Sequence, residues 1–360
     1  MKILIITNHS YMLYRFRKEL IAELMKEHEV VLGMPFVGHE EDFQAMGLRC
    51  IDTDIDRRGI NPKTDLKLMV TYRKLLKEEC PDLVITYSIK PNIYMGLLCA
   101  VRDIPYYVNV QGLGAAFQKE STAKLVTVLY KAALRKAKTV FFENRGNAQE
   151  FITRKIIPDS KVVVLNGAGV NLDEYDAKDY PDHDKVHFLY LGRFMKEKGI
   201  EELCTAARRL HREMGDRVVL DLVGFFDDDT CEELINQLVA DGIASFSGFQ
   251  SEPRPYYAAA DCVVMPSYHE GMSNVLLEAA AIGRPVITTD IHGCKEAVDD
   301  GKSGLLCRAK DADDLYQKMR AIARLSREER ISMGIAAREK MEREFDRNEV
   351  VHNSIQVLFR

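Results

Sequence analysis

The sequence contains no apolar run long enough to cross a bilayer and no secretory leader. A membrane-spanning helix needs about 18 consecutive apolar residues, a length that no stretch of this chain reaches. Residues 1–7, Met-Lys-Ile-Leu-Ile-Ile-Thr, lack the long apolar region and the cleavage site of a signal peptide and instead predict a first β-strand. We therefore expect a cytoplasmic protein.

The eight cysteines form no C-x-x-C pair. Without a secretory signal they are expected to be reduced thiols in the core. A zinc site needs clustered Cys and His ligands, which the sequence does not offer. The acidic run at 227–229 is equally well explained as the cap of a helix beginning near Thr230. We therefore predict neither a metal nor a cofactor.

Two nucleotide-binding fingerprints are also missing. No G-x-G-x-x-G follows the first predicted strand, which argues against a dinucleotide-binding loop, and no G-x-x-x-x-G-K-[ST] is present, which excludes a P-loop. Residues 1–180 hold 26 Lys and Arg against 23 Asp and Glu, and residues 181–360 hold 24 against 32. The acidic second half argues against general nucleic-acid binding, whereas the mildly basic first half is compatible with an anionic partner or a membrane surface.

The sequence does contain a regular alternation of short apolar runs with longer helical patterns, which is typical of β-α-β units and predicts parallel sheets. The first half predicts strands at 2–7, 28–34, 48–54, 82–88, 105–110, 138–143 and 161–165, and helices near 12–26, 63–80, 92–102, 121–137 and 146–155. The second half predicts strands at 186–191, 217–223, 243–247, 261–265, 284–289 and 304–307, and helices near 199–214, 229–241, 253–259, 273–282, 294–299, 311–325 and 327–358.

The alternation breaks near 166–185, where the chain is polar and has no apolar period. We therefore predict an α/β protein with two Rossmann-like parallel-sheet domains, one at 1–170 and one at 186–340, joined by a linker at 171–185. If the two sheets face each other, the residues at their carboxyl ends meet across one cleft.

Ligands of parallel α/β sheets bind beyond the carboxyl ends of the strands, so the residues that follow each strand are candidates for a site. In the first half these candidates are Asn8, His9, Arg57, Arg58, Lys90, Gln111, Gly112 and Asn144. The charged members could meet a phosphorylated ligand, although exposed loop charges explain them as well. A basic helix at 124–138 could rest on an anionic membrane, but a surface helix packed on the sheet explains it too.

The segment at 268–283, Y-H-E-G-M-S-N-V-L-L-E-A-A-A-I-G, carries two acids eight positions apart. Glu270 is predicted in a loop and Glu278 on the second turn of a helix that Ser273 caps. The N-terminus of that helix suits a phosphate, and Glu278 suits the vicinal hydroxyls of a sugar. An ordinary amphipathic helix with a solvated acid is the alternative.

The segment at 192–199, G-R-F-M-K-E-K-G, ends a predicted strand and begins a helix. Arg193 and Lys198 could hold a diphosphate, because Arg offers a bidentate fork and Lys a mobile point charge. A solvated basic turn is equally consistent with the pattern.

Taken in this order, Arg193, Lys198 and the E-x7-E pair Glu270 and Glu278 resemble the donor half of retaining GT-B glycosyltransferases of family 4. The resemblance covers essentially the whole chain. D-R-R-G-I-N-P at 56–62, K-P-N at 90–92, G-L-G at 112–114 and N-G-A-G-V-N at 166–171 further resemble the branch that assembles bacterial capsule, O-antigen and N-glycan on undecaprenyl diphosphate.

The resemblance implies a UDP-sugar donor and no metal. Arg193 and Lys198 would hold the diphosphate, Glu278 the ribose and Glu270 the transferred hexose. The remaining donor-side residues would contact the hexose, phosphates or uracil: Gly192, Gly224, Phe249, Gln250, Gly271, Met272, Ser273, Asn274 and Val275. The candidates of the first half would form the acceptor side, and a last helix at 341–360 would return to the first domain.

Two features depart from the family pattern. Many members carry a His near the position of Gln111, and a glutamine cannot act as a general base near neutral pH. Asn8-His9-Ser10 also replaces the glycine-rich first loop that many members have. We expect a retaining transfer of a hexose or N-acetylhexosamine to a saccharide, with undecaprenyl diphosphate as the expected carrier, and contact with the inner face of the membrane through the first domain. A nucleotide-sugar epimerase or phosphorylase and a non-catalytic glycan-binding protein are the alternatives.

Overall fold

The structure, a computed structural model, describes residues 1–53, 61–114, 117, 120–227 and 229–360. The chain divides into two compact units, unit 1 formed by Met1–Ala168 with Asn348–Arg360 and unit 2 formed by Gly169–Arg347. Two predicted site residues, Arg57 and Arg58, lie outside the described residues.

Unit 1 is built on a parallel sheet of seven strands in the order β3-β2-β1-β4-β5-β6-β7. Its central strands are almost entirely buried, as expected for strands covered on both faces, whereas the two edge strands are partly exposed. The strands are β1 (Lys2–Ile6), β2 (Glu29–Met34), β3 (Arg49–Asp52), β4 (Leu83–Tyr87), β5 (Tyr106–Val110), β6 (Thr139–Phe142) and β7 (Val162–Val164).

Helices cover both faces of this sheet. They are α1 (Ser10–Met25), α2 (Glu40–Ala45), α3 (Pro62–Glu79), α4 (Ile89–Arg102), α5 (Glu120–Leu134) and α6 (Arg145–Thr153). One buried cluster contains Tyr72 of α3, Tyr130 of α5 and Phe151 of α6, so these helices share a face. A second cluster on the other face contains Leu13 of α1 and Phe43 of α2.

Unit 2 is built on a parallel sheet of six strands in the order β10-β9-β8-β11-β12-β13. The strands are β8 (Val186–Phe194), β9 (Val218–Phe226), β10 (Ala244–Phe246), β11 (Cys262–Met265), β12 (Val286–Thr289) and β13 (Gly304–Cys307). The helices are α7 (Ile200–Met214), α8 (Glu232–Ala240), α9 (Arg254–Ala259), α10 (Asn274–Ala281), α11 (Ala312–Arg324) and α12 (Arg327–Glu344).

The last helix, α13 (Arg347–Leu358), belongs almost entirely to unit 1 although it follows unit 2 in the sequence. Leu358 joins the buried cluster of α1 and α2, and the hydroxyl of Tyr107 donates a hydrogen bond to its carbonyl oxygen at 2.9 Å. The helix predicted over 327–358 is therefore two helices, with the break at Phe345 and Asp346.

Three further expectations are corrected. The helix predicted at 294–299 is only a 3₁₀ turn at Lys295–Ala297, whereas the helix α2 was not predicted. Helix α4 begins at Ile89, so Lys90 lies in its first turn rather than in a loop. Strands β8 and β9 continue to Phe194 and Phe226, past the glycines at which they were expected to end.

The polar segment at 171–185 packs on unit 2. Tyr175 is buried, and the Arg284 guanidinium donates hydrogen bonds to the carbonyl oxygens of Lys178 and Asp179 at 3.1 and 2.7 Å. This polar segment therefore follows a defined path, because the buried Arg284 guanidinium provides hydrogen-bond donors for its backbone carbonyl groups. Among the described residues, no helix is both long and apolar enough to span a bilayer.

Candidate active site

The glycines of strands β8 and β9 allow the strands to continue where they were expected to end. Gly192 pairs with Gly224 in the parallel register, with φ values of 153° and 146°. A Cβ on Gly224 would lie 1.7 Å from the carbonyl oxygen of Gly192. No other residue permits this approach, so the pair brings the backbone of Arg193 and Phe225 to the carboxyl edge of the sheet.

Lys198 and Glu270 meet because their strands are neighbours. Lys198 follows β8 and Glu270 follows β11, and these strands pair in parallel. The Lys198 ammonium forms an ion pair with Glu270 Oε1. The buried hydroxyl of Ser267 donates to the same oxygen at 2.8 Å. The structure therefore joins two of the predicted residues that stand far apart in the sequence.

The loop that carries Glu270 is held by the chain that follows β12. The backbone N–H of Ser273 donates to the carbonyl oxygen of Gly293 at 2.8 Å, and the Thr289 hydroxyl donates to that of Ser267 at 2.5 Å. Gly293 has a φ of 89°, and a Cβ there would lie 2.5 Å from the Gly271 carbonyl oxygen. A side chain at this position would displace the loop.

Helix α10 begins at Asn274, as predicted, with Ser273 as its N-cap residue. The Ser273 side chain is buried and makes no capping hydrogen bond. The first N–H groups of a helix have no acceptor within it, and the buried Oδ1 of Asn274 has no hydrogen-bond partner. This end of α10 therefore presents both donors and an acceptor to a polar ligand. Met272 is buried against the core, while Gly271 and Val275 are half-buried.

Glu278 lies on the second turn of α10 and is 5% exposed. The hydroxyl of Tyr257 donates to Glu278 Oε2 at 2.8 Å. Glu278 and Glu270 thus have different partners, a phenol in one case and an ammonium with a hydroxyl in the other. The E-x7-E spacing does not create a directly interacting carboxylate pair.

Arg193 extends from the end of β8 and is held by a carboxylate. Its guanidinium lies 3.2 Å from Asp227 Oδ2, and its side chain is 46% exposed. The buried hydroxyl of Tyr190 donates to the carbonyl oxygen of Arg193 at 2.7 Å. Burial, reinforced by the charge of Glu270, raises the pKa of Tyr190, so this phenol stays protonated and can donate.

Phe249 is an exposed aromatic residue beyond the end of β10. Its ring packs edge to face on that of Phe225, with centroids 5.9 Å apart, and both side chains are about half exposed. Gln250 does not point freely into solvent, because its amide donates to the carbonyl oxygen of Ser247 at 2.7 Å. The backbone N–H of Gly224 donates to Gly248 O at 2.9 Å, which joins the loops after β9 and β10.

Two of the site residues predicted in unit 1, Lys90 and Asn144, make polar contacts within that unit. The Lys90 ammonium lies 2.9 Å from Asp65 Oδ1, and both side chains are largely buried. The Asn144 side chain caps α6 by accepting from the Asn147 backbone at 2.8 Å. Lys90 is thus neutralised within the unit. Asn8, His9, Gln111 and Gly112 are half-buried residues after β1 and β5.

Ser88, one of the residues expected after the fourth strand, is distinguished by its backbone conformation. It follows β4 and adopts φ 76° and ψ 156°, a region that side chains disfavour. The strand order places β4 beside β1, where the chain direction across the sheet reverses. Ligands of such sheets bind at this point. No local sequence signal identifies a serine in this conformation, since glycine is its usual occupant.

Within the described part of the chain, no three His, Cys, Asp or Glu side chains gather in a way that suits a metal ion. Of the predicted acidic run, Asp227 is the ion-pair partner of Arg193.

Comparison with known proteins assigns the family. The family described as "Glycosyl transferase 4-like" matches residues 2–144, and that described as "Glycosyl transferases group 1" matches residues 185–324. The chain belongs to glycosyltransferase family 4. This assignment confirms the enzyme class that the sequence of the glycosyltransferase predicted.

Two relatives span most of this glycosyltransferase. The N,N'-diacetylbacillosaminyl-diphospho-undecaprenol alpha-1,3-N-acetylgalactosaminyltransferase of Campylobacter jejuni is 27% identical over 356 residues, 93% of this chain and 92% of that protein. The capsular polysaccharide biosynthesis glycosyltransferase CapM of Staphylococcus aureus is 23% identical over 319 residues, 84% of this chain and 83% of that protein.

Solved structures identify the fold of the glycosyltransferase as GT-B. Anabaena HepE in complex with UDP and glucose superimposes with a TM-score of 0.81 over 99% of both chains, at 17% identity. The lipopolysaccharide outer core galactosyltransferase WaaB gives a TM-score of 0.69 over 100% of this chain and 99% of that one, at 17% identity. The predicted α/β class with two Rossmann-like sheets is confirmed.

Proposed function

We propose that this glycosyltransferase moves a hexose or N-acetylhexosamine from a UDP-sugar to a saccharide carried on a lipid diphosphate, with retention at the anomeric carbon. The observation that carries the proposal is the Lys198–Glu270 ion pair just before the N-terminus of α10, with Glu278 on the second turn. Glu270, the Lys198 ammonium with the helix N-terminus, and Glu278 would match in turn the hexose, the diphosphate and the ribose of a nucleotide sugar.

The leaving UDP determines what the protein must stabilise. Negative charge develops on the diphosphate as the glycosidic bond breaks, and Lys198, Arg193 and the first N–H groups of α10 are the groups that would stabilise it. Asn274, with its unpartnered buried oxygen, would accept from a donor hydroxyl. Phe249 would contact the uracil, beside the loops after Gly224 and Gly248.

Retention is proposed to occur by front-face attack, in which the leaving phosphate takes the proton of the acceptor hydroxyl. Glu270 would bind hexose hydroxyls away from the anomeric carbon. The rival is a covalent intermediate on Glu270. In Glu270→Gln, near-wild-type turnover would remove Glu270 from any essential role, and an inverted product from the wild-type enzyme would contradict retention.

The acceptor class rests on the Campylobacter relative, whose name specifies a diphospho-undecaprenol acceptor. Helices α3 and α5 of unit 1 support contact with such a carrier. On α3, Leu66 and Val70 are 64% and 62% exposed beside Lys63 and Lys67, and on α5, Val128 is 63% exposed beside Lys124 and Lys131. Apolar side chains flanked by lysines suit an anionic bilayer surface.

Sedimentation with phosphatidylglycerol vesicles tests this contact. Replacing Leu66, Val70 and Val128 together by Gln should reduce the bound fraction to near background. Each buried apolar side chain contributes about 1.5–3 kcal/mol, so losing three lowers the partition constant by more than about 1,000-fold. Val239→Gln, an exposed apolar residue of unit 2, is the matched control and should leave binding unchanged.

The donor assignment is tested by calorimetric titration with UDP. The wild-type chain should bind UDP, and Arg193→Ala combined with Lys198→Ala should abolish the signal. A wild-type chain without UDP affinity would contradict the proposal. Incubation with UDP-sugars in the absence of acceptor addresses the epimerase alternative, which predicts accumulation of an epimer.

A further inference from the structure

Tyr257 is a buried phenol whose hydroxyl donates a hydrogen bond to the acid on the second turn of α10. The side chain is fully buried in α9, and its hydroxyl donates to Glu278 Oε2 at 2.8 Å. Glu278 is itself 95% buried. A carboxyl oxygen at such a depth needs a hydrogen-bond partner, and the phenol supplies one.

The position of the Tyr257 ring is fixed from two sides. The Arg284 guanidinium, 1% exposed, donates to the carbonyl oxygens of Tyr257 and Ala258 at 3.2 and 2.8 Å. These bonds hold the last turn of α9. The ring of Tyr175 packs edge to face on that of Tyr257, with centroids 6.3 Å apart. The phenol therefore has little freedom to move with the carboxylate.

We propose that Tyr257 is a positioning residue for the donor, which sets the orientation of Glu278 toward the ribose hydroxyls. This inference rests on the proposed donor site. A carboxylate has about four lone-pair sites, and a bond from Tyr257 to Oε2 occupies one of them and restricts the rotation of the group. A residue that fixes the acceptor raises affinity by preorganisation, without touching the ligand.

A positioning role for Tyr257 predicts a difference between ligands that a packing role does not predict. If Tyr257 serves only the core, its loss lowers stability and affects all ligands alike. If it orients Glu278, its loss weakens the ligand that carries both ribose hydroxyls more than one that lacks the 2′-hydroxyl. The nucleotides UDP and 2′-deoxy-UDP differ only in that group and need no acceptor or transferred sugar.

Calorimetric titration of Tyr257→Phe with both nucleotides tests the inference. We expect the Kd for UDP to rise about 10-fold, the effect of losing one buried hydrogen bond to a charged group. The Kd for 2′-deoxy-UDP should rise by no more than about 2-fold, because that ligand makes less use of Glu278. In Glu278→Gln, the further change Tyr257→Phe should have a much smaller effect, since coupled residues are not additive.

Tyr106→Phe is the matched control. Tyr106 is a 1% exposed tyrosine of unit 1 whose hydroxyl donates to the Ala133 carbonyl oxygen at 2.6 Å. The Tyr106→Phe variant also loses one buried tyrosine hydroxyl, but in the core of unit 1, and both nucleotides should bind to it as they do to the wild type. Equal weakening of UDP and 2′-deoxy-UDP by Tyr257→Phe, or no weakening of either, overturns the inference.

The wild-type titration separates a failure of the proposed donor site from a failure of the positioning role of Tyr257. A wild-type chain that binds UDP through Arg193 and Lys198 but is insensitive to Tyr257→Phe contradicts this inference alone. A wild-type chain that binds no UDP contradicts the proposed function and this inference with it.

Discussion

The Lys198 ammonium and Glu270 Oε1 form an ion pair, with 17% and 14% of the two side chains exposed. The Ser267 hydroxyl donates to the same oxygen. Without a donor, the cation proposed to hold the diphosphate is neutralised by the acid proposed to hold the hexose. A bound nucleotide sugar would separate their roles, because it supplies a stronger anion for Lys198 and hydroxyl donors for Glu270.

We predict that Glu270→Gln strengthens UDP binding while it slows sugar transfer. The neutral amide no longer competes with the diphosphate for Lys198, and an ion pair near a protein surface contributes about 1 kcal/mol, or roughly 5-fold in Kd. Transfer should slow because the hexose loses a charged acceptor. Calorimetry with UDP and initial rates with the UDP-sugar measure the two effects.

Asp227→Asn is the matched control for this prediction. Asp227 pairs with Arg193, whose side chain is 46% exposed and already shared with solvent. Its loss should change the Kd for UDP by less than about 2-fold. A Glu270→Gln enzyme that binds UDP more weakly than the wild type would refute the proposed competition.

Gly293 is predicted to be irreplaceable by alanine. The Cβ would lie 2.5 Å from the Gly271 carbonyl oxygen and 2.7 Å from that of Glu270, at a φ of 89°. We expect Gly293→Ala to lower the free energy of unfolding by about 3 kcal/mol and to reduce activity, because the loop bearing Glu270 must shift. Thermal unfolding and initial rates measure these changes.

Gly301→Ala provides the comparison. Gly301 has a similar φ of 76°, but no atom lies within 4 Å of a Cβ placed there. Its replacement by alanine should lower the free energy of unfolding only by the cost of a Cβ in the left-handed region, about 1 kcal/mol, and leave activity unchanged. Similar activity losses in the two variants would argue against a specific effect on the loop.

Ser88→Gly is predicted to stabilise the protein. At φ 76° and ψ 156° the serine occupies a region that glycine adopts without strain, and the substitution should raise the free energy of unfolding by about 1 kcal/mol. Ser88→Ala keeps the Cβ and should bring no gain. Denaturant titration measures the differences, and a destabilised Ser88→Gly would show that the serine side chain contributes more than the strain costs.

The stability of unit 2 is predicted to depend on pH through His187. The hydrogen bond that the Nδ1–H of His187 donates to Asp221 Oδ2, at 2.7 Å, raises the pKa of His187 above its ordinary 6.5 although burial opposes the change. Because the folded pKa is the higher one, this contribution is complete below pH 6.5 and is lost as the pH rises through the folded pKa. The difference in Tm between wild type and His187→Gln should therefore shrink as the pH rises above 6.5. A difference that is constant between pH 6 and pH 9 would contradict this assignment.

The sequence alone determined the fold class and which side chains stand in the proposed donor segment. Apolar runs separated by helical patterns specify parallel β-α-β units because each run must be buried on both faces. The sequence could single out four residues of this segment and of the turn after β8, namely Arg193, Lys198, Glu270 and Glu278. They follow strands or lie on the second turn of a helix, and the position of a residue along an element is a local property.

The partners of those residues were decided only by the tertiary structure. Lys198 reaches Glu270, 72 residues later, because β8 and β11 are neighbours in the sheet. Tyr257 reaches Glu278 from another helix, and Lys90 of α4 pairs with Asp65 of α3. The close approach at Gly293 likewise arises because the loop after β12 packs on the loop that carries Glu270. Contacts of this kind depend on strand order and packing, which no local pattern of residues encodes.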